Sequence, residues 1–304
     1  MKFYLLILIE LFFFPFLYLW EAFRNFVSSK NVKQYYSTDK SDIKPINDVI
    51  YLIHEWGKYP IKRKKHINAI PEFECGLFYQ VQRLDRYNGQ KKIRKYLTIS
   101  DYSVEYIKYI EDNGIGLKDY TVIPVQNKGM DFSGYSYLTN KIIDSSQNQI
   151  VFLTNTSVEK DISDYIDDYV KLFEKYHNLG LLGISYSTKI SQSFIKNRFS
   201  PHLQSFFLVS RSQVLKEAVK TNNGKFPGES ETLKYSIIRF GEIKLSKLIS
   251  KLGYDLAVVE PSGNIYFLPK DKILNNGYNT WKLPFGDRRL TNNSPNRIYS
   301  ISDK

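Results

Sequence analysis

Runs of apolar residues divide the chain into a regular succession of strands and helices. Val49-Ile50-Tyr51-Leu52-Ile53 is short, apolar and β-rich, and reads as a first strand. Tyr96-Leu97-Thr98-Ile99-Ser100 reads as another, ended by Asp101, while 77–81 fits either an extended segment or part of a helix. Ser103 is placed to cap a helix reaching Glu111, with Val104, Ile107 and Ile110 at helical spacing and Asn113-Gly114 as the stop. Val122-Ile123-Pro124-Val125 is a further strand, 133–143 has a helical pattern, and Ile150-Val151-Phe152-Leu153 is a strand entering Thr154-Asn155-Thr156-Ser157. Ile162, Ile166, Tyr169, Val170, Phe173 and Tyr176 form one stripe of a helix over 161–177. Strands at 181–184 and 203–210 and helices at 212–219 and about 230–252 complete the pattern, with Gly253 ending the last helix.

This alternation predicts an α/β fold of the Rossmann-like kind, a mostly parallel sheet covered by helices on both faces. Ligands in such sheets sit beyond the carboxyl ends of the strands, so the loops after Val125 and Leu153 are the places to look. No internal repeat is visible.

The N-terminus breaks the pattern. Residues 3–23, FYLLILIELFFFPFLYLWEAF, are long enough as a helix for the roughly 30 Å hydrocarbon core. Glu10 sits mid-segment at a cost of roughly 2.5–3.5 kcal/mol on insertion scales, Pro15 kinks the helix, and Tyr4, Tyr18, Trp20 and Glu21 favour interfaces. No small-residue cleavage site follows, which argues for an anchor over a cleaved signal peptide. Arg24, Lys30, Lys33, Lys40 and Lys44 follow the segment against Lys2 before it, placing the body on the cytoplasmic face of the membrane. The expected organisation is a membrane-associated helix over 1–27, a linker over 28–45, one α/β domain over 46–285 and a polar tail over 286–304.

The formal net charge of +12 suits a surface facing anions: lipid head groups, nucleotide diphosphates or nucleic acid. No nucleic-acid module is present, which leaves membrane lipid and an anionic small molecule as the expected partners. The single cysteine, Cys75, excludes an internal disulfide and reads as buried and inert.

The loop Gln126-Asn127-Lys128-Gly129-Met130-Asp131-Phe132-Ser133-Gly134-Tyr135 combines glycines for close backbone approach with an amide, a carboxylate and, in Lys128, a charge for phosphate. An ordinary turn in which Asp131 or Ser133 caps the next helix explains it equally. After Leu153, Thr154-Asn155-Thr156-Ser157 holds no acidic pair; Glu159 and Asp161 read as first-turn acids of the next helix.

Four segments, in order between about 97 and 257, resemble the rhamnan-synthesis or polysaccharide-biosynthesis glycosyltransferase family. Asn127-Lys128-Gly129-Met130-Asp131 resembles its Asn-x-Gly-x-Asp loop, and Phe152-Leu153-Thr154-Asn155-Thr156-Ser157 its strand ending in Asn-x-Ser. Pro201-His202-Leu203-Gln204-Ser205-Phe206-Phe207 resembles its His-x-Gln-Ser segment, and Gly241-Glu242-Ile243-Lys244-Leu245-Ser246, then Gly253-Tyr254, its late Glu-x-x-Leu-Ser helix.

The resemblance implies a GT-A-like glycosyltransferase, a hexosyl- or deoxyhexosyl-transferase of inverting type. Its partners would be a nucleotide-sugar donor and a growing glycan or lipid-linked glycan of capsule, O-antigen or cell wall. GT-A strands of this kind usually end in an acidic pair holding a divalent metal; none stands here, so the cofactor is left open. By physical fit, Asp131 suits sugar or ribose hydroxyls, Asn155 and Ser157 the pyrophosphate or sugar edge, and His202 and Gln204 donor or acceptor. Asn127, Lys128 and Gly129 complete the expected donor site. Glu242 is the expected base and Glu231 the second choice, with Arg198, Arg211 and Arg239 available to phosphate. The missing acidic pair motivates the alternative of a non-catalytic glycosyltransferase-like assembly protein at the membrane.

Overall fold

Eight strands form one sheet in the order β12-β11-β7-β10-β6-β1-β4-β5, built from β1 Asp48–Trp56, β4 Lys92–Ser100, β5 Tyr120–Val125, β6 Ile150–Asn155, β7 Leu179–Gly183, β10 Phe207–Arg211, β11 Asp255–Val259 and β12 Ile265–Leu268. Six of these run parallel; β10 lies antiparallel between β6 and β7, and β12 antiparallel on β11. In this computed structural model the described residues are 46, 48–67, 70–160, 164–187, 202–268 and 296–301, with positions 8, 11–13, 15, 16 and 19. Two short antiparallel pairs stand outside the sheet: β2 Arg63–Ile67 with β3 Ile70–Cys75, and β8 Tyr186–Ser187 with β9 His202–Leu203.

Helices cover both faces. α1 Leu77–Asp85, α2 Val104–Asp112 and α4 Ile166–Lys175 pack on one side, where Leu84, Ile110 and Phe173 meet Tyr51, Ile99 and Phe152. On the other, α3 Asp131–Tyr137, α5 Ser212–Thr221 and α7 Ile243–Lys251 bring Phe132, Leu215 and Ile249 onto Ile50, Leu153 and Leu208. The central strand β1 is buried on both faces, which is why its apolar run is continuous and not alternating. α6 Lys234–Ile237 leads through a π turn, Ile238–Glu242, directly into α7. Phe132 underlies this junction, and Gly228 and Gly241 come so close that a Cβ on Gly228 would meet the Gly241 Cα at 2.8 Å.

The chain steps from β1 outward through β4 to β5 and then returns to the other side of β1 with β6. That reversal opens a crevice at the carboxyl ends of β1 and β6.

The mixed α/β architecture follows the alternation in the sequence, and the Ser103 cap is present, its hydroxyl accepting from the Tyr106 N–H at 3.1 Å. Several expectations are corrected. The ambiguous 77–81 segment lies in helix α1. The 203–210 strand divides: His202–Leu203 pairs with β8, and only Phe207–Arg211 joins the main sheet. Glu159 is no first-turn acid, because α4 begins at Ile166. Residues 296–301, expected within a polar tail, pack inward: Asn296 and Ile298 are buried, and Tyr169 donates to the Tyr299 carbonyl at 2.9 Å.

The expected anchor over 1–27 and the linker over 28–45 lie almost wholly outside the described residues. Among those described, no helix is long and apolar enough to cross a membrane. Positions 8, 11–13, 15, 16 and 19 are helical, and Leu8, Leu11, Phe12, Phe13, Phe16 and Leu19 are exposed.

Candidate functional site

The crevice is built from strand ends. β6 terminates at Asn155, whose side chain turns both ways: its Oδ1 accepts from the Ser157 N–H at 2.8 Å, and its Nδ2 donates to Asp131 Oδ2 at 2.6 Å. Asp131 is the first residue of α3. The backbone reaches it through Gly129, at φ +91°, and Met130, at φ 48° and ψ −122°. The second of these is a conformation that a β-carbon disfavours, and strain of this kind costs on the order of 1–3 kcal/mol. The turn is braced from outside: the Gly129 N–H donates to the Glu231 carbonyl at 2.9 Å, and a Cβ on Gly129 would lie 2.8 Å from the carbonyl oxygens of Gly228 and Glu229.

A third element enters from the β9–β10 turn. Ser205 donates its hydroxyl to the same Asp131 Oδ2 at 3.2 Å and its backbone N–H to Glu242 Oε1 at 2.7 Å. Glu242 Oε2 stands 3.6 Å from His202 Nε2. Tyr135, one turn along α3, donates to the Ser205 carbonyl at 2.7 Å. Asp131, Asn155, Ser205, Glu242 and His202 thus form one bonded group drawn from four parts of the chain. Burial, foremost, raises the Asp131 carboxyl above the ordinary carboxylate range; the bonds from Asn155 and Ser205 oppose this, and the Glu242 charge adds to it.

The other expected residues stand apart from this group. Asn127 is exposed and donates to Asp101 Oδ2 at 3.3 Å, where Trp56 Nε1 also donates at 2.7 Å; this is the rim formed after β1, β4 and β5. Lys128 is exposed. Gln204 turns away, its Oε1 accepting from Ser185 Oγ at 2.6 Å. Glu231 lies beside the Gly129 turn, through its carbonyl. Glu229 accepts from Ser136 Oγ and the Phe226 N–H, which fixes its own loop. Arg211 is opposite Ile150, at the far end of the sheet, and donates to the Phe173 carbonyl, so it does not serve the crevice. Arg198 lies outside the described residues. Gly241, next to Glu242, allows close packing against Gly228 and Phe132.

Three residues without an expected role complete the crevice. Glu55, next to last in β1, is fully buried; its Oε1 accepts its neighbour's Trp56 N–H at 2.8 Å, while Oε2 has no hydrogen-bond partner. Burial, partly offset by Arg63, pushes its carboxyl up to about 7. Arg63 Nη1 lies 3.7 Å from Glu55 Oε2, and Nη2 donates to Thr156 Oγ1 at 2.8 Å. His54 shares a 3.0 Å hydrogen bond with Thr98 Oγ1, is held neutral by burial at about 3, and packs under Gly134.

The GT-A resemblance implies a divalent metal, and the described residues do not fit one. β6 ends in amide and hydroxyl side chains, and among the described residues no three His, Cys, Asp or Glu side chains converge to hold a cation.

Glu242 carries a structural prediction of its own. Glu242→Leu removes the acceptor from a buried backbone N–H, which costs about 1–3 kcal/mol. Glu242→Gln keeps an acceptor oxygen and should cost clearly less. Urea midpoints of the two variants check this; equal losses would mean that the Ser205 bond contributes little.

The sequence matches no family model and no curated protein. Among solved structures, the mannosyltransferase PcManGT from Pyrobaculum calidifontis, determined with GDP-Man and Mn2+, superposes with a TM-score of 0.39 at 11% identity, over 83% of this chain and 64% of its own. HddC from Yersinia pseudotuberculosis gives a TM-score of 0.31 at 15% identity, over 56% of this chain and 79% of its own. This chain therefore spans under two thirds of the mannosyltransferase's length. Likeness at these levels carries no argument about activity; the class of the fold, a doubly wound sheet between two helical layers, stands on its own strand order.

Proposed function

We propose that this chain is a glycosyltransferase, moving a sugar from a nucleotide-sugar donor to a growing surface glycan. The observation that carries the reading is the Asp131–Asn155–Ser205 contact at the crevice where the sheet order reverses. The motif resemblance had picked out Asp131 and Asn155 as donor-site residues, and fixed carboxylate and amide groups suit sugar hydroxyls. In the transfer, the acceptor oxygen forms a bond to the anomeric carbon. The bond from that carbon to the diphosphate oxygen breaks, its electron pair leaving with the diphosphate, and the hydroxyl proton passes to a carboxylate.

We place that base at Asp131. Glu242, the carboxylate singled out from the sequence, has Oε1 committed to the Ser205 N–H and Oε2 beside His202, which suits a positioning role. Among the described residues both hydrogen bonds to Asp131 fall on Oδ2, and we assign Oδ1 to the acceptor. Its raised pKa also makes it a stronger proton acceptor, once ionised, than an ordinary aspartate. Glu231 remains the paired control.

A panel of nucleotide sugars tested for thermal stabilisation checks the donor. A ligand at one hundred times its dissociation constant adds about 2.7 kcal/mol; no response to any nucleotide sugar counts against the reading. The alternative, a non-catalytic assembly protein, draws on the missing acidic pair; it predicts such stabilisation without turnover.

We further place the body at the cytoplasmic membrane surface. Leu8, Leu11, Phe12, Phe13, Phe16 and Leu19 of the N-terminal segment are large apolar side chains left exposed, a surface suited to lipid. Deleting residues 1–27 should release the protein to the soluble fraction with its fold intact. Retention on membranes after a high-salt wash would show that the helix is not the anchor, since salt screens attachment through basic residues.

A further inference from the structure

The hairpin β2–β3 lies outside the main sheet, and its two faces differ. Along β2 the side chains alternate: Lys64 and His66 are exposed, while Arg63 and Lys65 are half-buried. Strand geometry sets this period of two. Opposite them on β3, Cys75 pairs with Arg63 and Phe73 with Lys65, and both are buried. The inward face of the hairpin therefore presents two cations above an apolar floor. Its base is pinned at Gly76, where φ is +135° and a Cβ would lie 2.1 Å from the Ile61 carbonyl oxygen.

That face is turned toward the crevice. Arg63 reaches Glu55 at the end of β1 and Thr156 just beyond β6. Lys65, two residues on, lies within electrostatic reach of Asp131, Cys75, Arg63 and Lys234, the last at the start of α6. Burial, foremost, lowers the Lys65 ammonium from its ordinary range; the Cys75 and Asp131 charges raise it, and Arg63 and Lys234 lower it further. Arg63 and Lys65 thus share the hairpin face whose Arg63 reaches the crevice, with Lys234 within electrostatic reach of Lys65, near where the GT-A resemblance calls for a metal ion and where the described side chains do not supply its ligands.

We propose that Lys65 and Lys234, with Arg63 behind them, form a diphosphate site that neutralises the leaving group without a divalent metal. This deepens the glycosyltransferase reading and rests on it. A lysine ammonium meets phosphate as a compact point charge and an arginine as a fork of donors, so the set can hold the two charges of a nucleoside diphosphate. The charge that grows on the diphosphate oxygen as its bond to the sugar breaks then falls beside ammonium groups already in place. In the absence of a donor, Arg63 and Lys234 oppose the Lys65 charge while Asp131 favours it, and a bound dianion adds to the favourable side.

The test is calorimetric titration of the full chain with GDP, UDP and dTDP, in EDTA and again with manganese ion. Binding of at least one diphosphate should be equally tight in both. Lys65→Met should weaken it by about tenfold or more, and Lys65→Arg should restore most of it. Lys234→Met, at an exposed position where packing is untouched, should weaken it by a smaller factor. Lys64→Met, on the outward face of the same strand, should leave it unchanged. Binding that requires manganese and vanishes in EDTA overturns the metal-free site while leaving glycosyl transfer standing. Wild-type affinity in both Lys65→Met and Lys234→Met also overturns it. No diphosphate binding under either condition overturns both this site and the reading on which it rests.

Discussion

Asp131→Asn is expected to lower turnover by roughly 10²–10⁴-fold, the usual contribution of a positioned general base, while donor affinity stays near that of the unaltered protein. Asparagine keeps the size of the side chain and an oxygen that can accept from Asn155 and Ser205, so the bonded group around it should persist. What it loses is the capacity to take the acceptor's proton. The pH dependence follows from the direction of the shift: burial raises the Asp131 pKa, and the base works only when ionised, so activity should climb with pH through a value above the ordinary carboxylate range. The paired measurement is kcat for Asp131→Asn, Glu242→Gln and Glu231→Gln, each with its donor affinity. If Glu242→Gln alone loses turnover, the base lies at Glu242; if all three remain active, none of these three carboxylates takes the proton.

Glu55 should make the stability of the fold fall as pH rises. Its carboxyl is fully buried and titrates at about 7 in the folded protein, against an ordinary value of 4.5. A carboxyl raised in this way binds its proton more tightly when folded. Its contribution to stability is therefore fully present below the ordinary value and lost as pH rises through about 7. The shift sets an upper bound of about 3 kcal/mol. Glu55→Gln keeps the shape of the side chain and removes the titration. Its stability relative to the unaltered protein should therefore improve between about pH 5 and about pH 8, read from urea midpoints at each. A difference that stays flat across that range would mean that Arg63, 3.7 Å from Glu55 Oε2, keeps the carboxylate ionised throughout.

Much of the scaffold was legible in the sequence because its signals are local. Apolar runs buried on both faces, such as 49–53 and 150–153, mark parallel central strands, and Ser103 with Asn113-Gly114 brackets α2. The β2–β3 hairpin was not legible, and the reason is physical. Its inward positions include Arg63 and Lys65, so β2 shows charges on both faces and no apolar alternation. β11 and β12, five and four residues long, escaped the reading as well.

The candidate site divides along the same line. Motifs named Asp131, Asn155, His202 and Glu242 as individuals, but their partners are set by distance along the chain. Ser205 lies 74 residues from Asp131, and Arg63 lies 93 from Thr156. Nothing local to Ser205 indicates that its hydroxyl and its backbone N–H serve two different carboxylates. The engagement of Glu242 is hidden for a similar reason. Its place in a π turn, with Oε1 on Ser205, follows from packing between Gly228, Gly241 and Phe132, which a local helix pattern does not carry.

The claim that this crevice transfers a sugar is tested most directly by incubating the full chain with each nucleotide sugar and a glycan acceptor. Release of nucleoside diphosphate and incorporation of the sugar are followed together. The account predicts that one donor gives both signals in equal amounts, and that Asp131→Asn lowers both by roughly 10²–10⁴-fold while still binding that donor. Binding of a nucleotide sugar with neither release nor incorporation, by a protein that is folded and carries its N-terminal segment, would contradict it and identify the crevice as a binding site without catalysis.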